Sequence, residues 1–332
     1  MNRREFLAVL AAGSVSVMSG GNAKGGTEKT MNKSMNDHKT KVSLVKTRDR
    51  ESGIARAINL LDFNPIGGKD VLIKPNFNTA DRYPASTHND TLTSLIQKLK
   101  AMGAKGIAIG ERSGPPDTDD VMKEKGIYRL CQEHDVRVIN FEDLAEAEWV
   151  RFQPKGSHWR NGFRVAKPIV DSSCIVSTCC LKTHGYGGVF TMSLKLSVGV
   201  TNKQNMMELH SSFLSMRKMI AEINTSYRPA LIVMDGIDVF VDKGPSHGPM
   251  KQADVILAGT DRIAIDTVGI AVLKILGSNR DIMGKKIFEQ EQISRAVELG
   301  LGISSPEDIE IIADDLAGQE YAKRLMQVVL QG

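Results

Sequence analysis

At 332 residues the chain is long enough for one large α/β domain or two smaller ones, with ample core. Its 41% hydrophobic and 25% charged content is ordinary for a globular protein, and 5% aromatics argue against a stacking surface for single-stranded nucleic acid. The formal charge of +4 comes from lysines and arginines spread along the chain, so no nucleic-acid partner is expected.

The chain opens Met1-Asn2-Arg3-Arg4-Glu5-Phe6-Leu7, followed by a short apolar run from Ala8 to Val17. A charged start before a weakly apolar segment reads as a secretory signal, too short to span a membrane. Arg3-Arg4 with Phe6-Leu7 resembles the twin-arginine (Tat) signal, with Asn2 where Ser or Thr is commoner. The expectation is a signal peptide over residues 1–23, folding in the cytoplasm, and export by the Tat machinery to the periplasm or cell envelope. Residues 24–41 have no period and read as a disordered tether, which leaves a single α/β domain over 42–332.

From Val42 the pattern alternates. Val42–Lys46 reads as a short strand and Ser52–Leu61 as an amphipathic helix with Ile54, Ile58 and Leu61 on one face. Val71-Leu72-Ile73, bounded by Gly67-Gly68 and Pro75, is a continuous apolar run typical of a buried parallel strand. It leads into Lys74, Asn76 and Asn78. A helix is predicted over Asp90–Met102, a strand over Gly106–Gly110 ending in Glu111-Arg112, helix from Asp117 to His134 broken near Gly126, and a strand over Val136–Ile139. Glu148–Arg164, with an Asn161-Gly162 turn signal, reads as an antiparallel excursion at the sheet edge. Beyond it come strand Cys174–Thr178, a Gly-rich stretch, helix Met206–Tyr227, strand Ala230–Met234 ending in Asp235, strand Val255–Gly259 ending in Asp261, and helix Ile263–Leu276. Such alternation implies an α/β fold: a mostly parallel, mixed sheet with helices on both faces.

In open α/β sheets ligands bind outside the carboxyl ends of the strands. Several strand candidates here end in polar groups, and solvated turns account for many of them. They do not account for the residue type: lysine directly after Ile73, and again beyond the cysteine strand, is not turn chemistry. Lys182, His184, Glu111 and Asp235 are therefore the candidate catalytic groups. Lys74, Asn76, Asn78, Lys195, Gly187, Gly188, His247 and Asp261 are the candidate binding groups. The lysines can hold a carboxylate or phosphate, and one crowded by other cations loses basicity and can serve as base or Schiff-base amine. His184 is a natural proton shuttle, or else a tie for its own loop. Glu111 and Asp235 neutralise the lysines or accept a proton. Gly185, Gly187 and Gly188 let the backbone approach a ligand, with an anion held by the first N–H groups of the helix that follows. Asp261 doubles as the cap of the last strong helix.

Cys131, Cys174, Cys179 and Cys180 form no Cys-x-x-Cys and no ferredoxin-type run. Three states stay open for them: buried small hydrophobes, a bridge from Cys174 to Cys179 or Cys180, or a metal or reactive-thiol role. His184, His210, His247, Asp235 and Asp261 have no spacing that fixes a metal site. No Walker loop and no Gly-x-Gly-x-x-Gly follows a strand, so the sequence specifies no cofactor.

Taken together, Ile-Lys-Pro-Asn-Phe at 73–77, Gly-Glu-Arg-Ser-Gly at 110–114, Cys-Leu-Lys-Thr-His-Gly at 180–185 and Ser-Leu-Lys-Leu-Ser-Val-Gly at 193–199 resemble the family called domain of unknown function 362 (DUF362). Met-Asp-Gly-Ile at 234–237, Gly-Pro-Ser-His-Gly at 244–248 and Gly-Thr-Asp-Arg-Ile-Ala-Ile-Asp at 259–266 extend the resemblance over roughly Lys69 to Gly277. Members of that family occur alone, with Tat-type signals, or fused to ferredoxin-like cluster modules. The resemblance therefore implies a link to redox chemistry and an external electron-transfer partner, although this chain lacks the cluster cysteines. Leu196 stands where an Asn often follows the family's lysine. The favoured reading is an exported enzyme acting on a small anionic or carbonyl-bearing molecule. The alternative is an envelope binding or accessory protein that uses the same pocket without chemistry.

Overall fold

The computed structural model describes residues 39–332; the expected signal peptide and most of the expected tether lie outside the described residues. The first described strand, β1 (Thr40–Lys46), starts two residues before Val42, where the first strand was expected, and its Thr40 and Lys41 pair with a strand near the C-terminus. In chain order there follow α1 (Arg50–Leu60), β2 (Asp70–Lys74), α2 (Asn89–Ala101), β3 (Gly106–Glu111), α3 (Thr118–Glu124), α4 (Ile127–Glu133) and β4 (Arg137–Asn140). Next come β5 (Trp149–Phe152), β6 (Phe163–Ala166), α5 (Lys167–Asp171), β7 (Ile175–His184), β8 (Val189–Thr191), α6 (Ser193–Leu196), α7 (Lys203–Ser211) and α8 (Met216–Ile223). The chain closes with β9 (Leu231–Phe240), β10 (Met250–Gly259), α9 (Arg262–Leu276), α10 (Arg280–Met283), α11 (Glu291–Glu298), β11 (Ile309–Ile312) and α12 (Leu316–Gln331).

The main sheet has nine strands in the order β11-β1-β10-β9-β7-β2-β3-β4, with β8 hairpinned onto β7. From β9 to β4 all neighbours run parallel, whereas β9-β10 and β10-β1 are antiparallel. The fold is therefore the α/β class with a mixed, mostly parallel sheet. The parallel strands are apolar on both faces, as burial on both sides requires. Val71, Ile73, Ile107, Ile109 and Val176 face a layer that includes Leu92, Leu95, Ile96 and Leu99 of α2 at helical spacing. On the other side Cys179, Leu181, Met234 and Leu257 pack against α9, which is buried from Arg262 to Leu273. Leu72, Ala108 and Ile175 pack there against α8 and the β5–β6 hairpin.

Several elements differ from the sequence reading. The β5–β6 pair is a separate antiparallel hairpin and not an extension of the sheet edge, because Phe163 and Val165 bury themselves on the sheet face. Both central strands also run longer than their apolar runs: β7 continues through Lys182 to His184 and β9 through Asp235 to Phe240. Lys182 and Asp235, expected at strand ends, are buried within the strands. Between Cys180 and Lys182 the β7–β9 register shifts, an irregularity of the kind that re-aims a side chain.

Candidate functional site

A cavity of about 870 Å³ lies at the carboxyl ends of β2, β3 and β7, walled by Val198-Gly199, α7 and the start of α8. Lys74, Lys182 and Lys195, from three separate elements, all line it, together with Asn76, Asn78, Glu111, Arg112, His184 and His210.

The cations divide by whether a carboxylate answers them. Lys74 donates to Glu111 Oε1 at 2.5 Å and to the Pro75 carbonyl at 2.7 Å. Glu111 also accepts from the backbone N–H groups of Phe77 (2.8 Å) and Arg112 (2.9 Å). Burial pushes Lys74 down and Glu111 up, and each charge opposes the other's shift. Gly199 makes room for the pair: a Cβ there would lie 2.6 Å from Glu111 Oε1 and 2.7 Å from Lys74 Nζ. Arg112 is spent on structure, donating to the carbonyls of Ser113, Val198 and Thr201. Lys203 pairs with Glu142.

Lys182 and Lys195 are different. Lys182 is fully buried and donates to the Ala85 carbonyl, with no carboxylate partner among the described residues. Burial lowers its ammonium to about 8. Lys195 is 8% exposed and has no hydrogen-bond partner among the described residues. Burial, with Lys182 and Arg112 adding repulsion, lowers it to about 7. His184 is held well below its ordinary value by burial and then by Lys195, and its Nδ1 has no partner. The Asn76 Oδ1 and Thr191 Oγ1 atoms lining the same cavity are also buried without a partner. These atoms are free to hydrogen-bond a polar group that enters the cavity.

Lys195 is held in place from behind. It sits on the one-turn helix α6, whose first N–H groups, Ser193 and Leu194, donate to Asp266 of α9 at 2.7 and 2.9 Å. Gly188 brings Lys195 close to His184: a Cβ on it would lie 2.7 Å from Lys195 Cε and 2.9 Å from His184 Nδ1.

The family model for the domain of unknown function 362 matches residues 71–271, well over half the chain. The protein belongs to the DUF362 family. The matched span contains Lys74, Glu111, Lys182, His184, Lys195 and His210. A thylakoid-associated protein of Synechocystis sp. is 24% identical over 287 residues, covering 81% of this chain and 85% of that relative. Among solved structures, lactate racemase apoprotein from Thermoanaerobacterium thermosaccharolyticum is similar with a TM-score of 0.42 and 14% identity, covering 87% of each chain. A protein of Thermotoga maritima has a TM-score of 0.42 and 15% identity; 62% of this chain aligns with 53% of that one, about half its length. Likeness at that level carries no inference about chemistry.

Several residues of this DUF362 chain that the sequence singled out lie elsewhere. Asp235 does not line the cavity; it accepts from Arg50 Nε (2.8 Å), which supplies its counter-charge, and from the hydroxyls of Tyr83 (2.6 Å) and Thr91 (2.5 Å). Asp261 caps α9, accepting from the N–H groups of Ile263 and Ala264, and ties down Ile303. His247 is exposed beside the cavity-lining Pro245 and Ser246. Gly187 and Gly188 belong to the β7–β8 hairpin turn and precede no helix directly. The helix N-terminus expected to hold an anion is already occupied by Asp266.

The sequence reading considered His210, whose Nδ1 lies 2.8 Å from the Met206 carbonyl, only as a metal ligand and missed the apolar wall of Met206, Met207, Phe213 and Met216. Ser211-Ser212-Phe213-Leu214-Ser215 was the available signal: serines around two apolar residues interrupt what had been read as one helix. All four cysteines are free and buried, so the bridge between Cys174 and its neighbours is not formed. Burial raises the thiols of Cys131 and Cys180 to about 11, which makes them poor nucleophiles. Among the described residues one carboxylate group, Asp117, Asp119 and Asp120, has donor atoms within 4.8 Å of one another. It lies off the cavity, and Asp117 and Asp119 are already engaged with the Asp120 N–H and with Tyr128.

Proposed function

We propose that this DUF362 protein is an enzyme that moves a proton at the carbon beside the carbonyl of a small organic anion. The observation that carries this reading is the pair of buried lysines, Lys182 and Lys195, that share one cavity and have no carboxylate to neutralise them among the described residues. An unpaired buried ammonium costs several kcal/mol. It sheds its proton or finds an anion, and both outcomes are useful here.

Lys182, with its higher proton affinity, keeps its charge near neutral pH and holds the carboxylate or carbonyl oxygen of the ligand. Lys195, lowered to about 7, is part neutral amine and part ammonium at that pH, the state suited to general acid–base work. His184 beside it accepts or passes on the proton. Lys74 and Glu111 form the rigid floor, and Asn76 offers an unpaired amide oxygen. Lys195 thus takes the catalytic role and Lys182 the binding role, the reverse of the expectation from residue pattern alone.

The test is deuterium exchange into α-oxo acids (pyruvate, α-oxobutyrate and α-oxooctanoate) followed by proton NMR in deuterium oxide. The wild-type protein is expected to speed exchange beside the carbonyl, and Lys195→Met to lose on the order of 100-fold of that rate. Tight binding of these acids without exchange would make the chain a binding protein and contradict the reading.

The Arg3-Arg4 leader supports placing this activity outside the cytoplasm. A variant with Arg3→Lys and Arg4→Lys should be retained in the cytoplasm, and unchanged export would contradict that placement.

A further inference from the structure

The same cavity has a second pole that the proposed chemistry does not use. Met206, Met207, Phe213 and Met216 line one wall, and Tyr186 stands at the hairpin tip beside them. Met207, Phe213 and Tyr186 are each at least 60% exposed, although large apolar side chains clustered on a surface normally mark a binding site. Two consecutive glycines fix the spacing between the poles. A Cβ at Gly187 would lie 2.8 Å from the Phe213 ring and 3.5 Å from Met216 Sδ, whereas one at Gly188 would meet Lys195 and His184. Neighbouring residues of one turn therefore abut the apolar wall and the basic pair, and both groups line the same cavity. Met206 also meets a cation of the cavity lining, its sulfur 3.0 Å from Arg112 Nη1.

We infer that the ligand is an amphiphile: an organic monoanion whose charged head reaches Lys182 and Lys195 and whose apolar body lies along the methionine and Phe213 wall. The inference rests on the reading above that the lysines take an anionic head. The volume supports it, because about 870 Å³ is near the upper end for sites that enclose drug-sized ligands and far exceeds what a short-chain acid fills. The residue types support it as well. Unbranched, polarizable methionines mould to a flexible chain, whereas a site for a small polar acid would carry donors on that wall.

The experiment is calorimetric titration with straight-chain alkanoates from acetate to decanoate, with the matching alcohols as controls, at slightly acid pH. Affinity is expected to rise about fourfold for each methylene added until the chain reaches the mouth. Because Met207 and Phe213 are exposed, the Met207→Ser, Phe213→Ser variant folds; its gain per methylene should drop below about twofold. Lys195→Met should weaken every acid by a similar factor. A flat series in which acetate still binds overturns this inference and leaves the anionic site standing. Alcohols binding as tightly as the acids, or no binding by any member, overturns both.

Discussion

Replacing Glu111 by Ala is expected to lower the unfolding free energy by about 3–5 kcal/mol, the largest effect of any single change at the cavity. The substitution leaves the Lys74 ammonium, 1% exposed, without its counter-charge, and it strips the N–H groups of Phe77 and Arg112 of their acceptor. Desolvation of a charge that nothing answers outweighs whatever relaxation a buried strand end allows. Removing Lys74 as well, by Lys74→Met on the Glu111→Ala background, takes away the orphaned charge and should recover part of the loss. The double-mutant cycle in urea denaturation reads that coupling directly. Strict additivity of the two single variants would show that the pair does not act as a unit.

Lys195→Met is expected to do the opposite and stabilise the unliganded protein, by roughly 1–4 kcal/mol near pH 6. The sign follows from linkage. Lys195 titrates at about 7 in the folded protein, against 10.5 when unperturbed. Below 7 both the folded and the unfolded chain hold the proton, and the folded state bears the full cost of a buried charge. Between about 7 and 10.5 the folded state has released it while the unfolded chain still binds it, so stability rises with pH across that window. Lys182, at about 8, adds a contribution of the same sign from 8 upward. Wild type should therefore become more stable from neutral toward alkaline pH, and Lys195→Met should flatten that rise. Thermal or urea unfolding across the window checks it; a variant less stable than wild type near pH 6 would mean that the lysine is satisfied where it sits. A stability gain paired with lost activity is the usual signature of a group kept for function.

The lysines were legible because their residue type conflicts with their position. A cation following directly on a buried strand has no local reason to be there, and Lys74, Lys182 and Lys195 do line one cavity. Aspartates carry no such conflict. Asp235 and Asp261 look alike in sequence, each ending an apolar run, and only long-range partners distinguish them from ligand groups. For Asp235 those partners are Arg50, Tyr83 and Thr91, more than 140 residues away in the chain; for Asp261 they are its own helix and Ile303. The lengths of β7 and β9 were hidden for a related reason. Apolar runs stop at Lys182 and Asp235, yet both side chains are satisfied or sequestered inside the fold, so the strands continue past them. The apolar wall was hidden in another way: Met206 and Met216 belong to separate helices, and only the break at 212–215 turns them toward the lysines. The alternation of strands and helices, by contrast, gave the α/β class with its mixed sheet directly, since burial on both faces leaves a local imprint on every parallel strand.

Buried, unanswered ammonium groups that a ligand's negative charge completes are the core of the site, and proton counting tests this most directly. Alkanoate binding should be titrated calorimetrically at pH 8 in buffers of different ionisation enthalpy. With Lys195 at about 7 and Lys182 at about 8, the first is mostly and the second half deprotonated there, and an anion that restores both charges must take up roughly 1.4 protons per molecule bound. Uptake that falls away in Lys195→Met is the predicted result. Binding with no change in protonation at that pH would contradict the account.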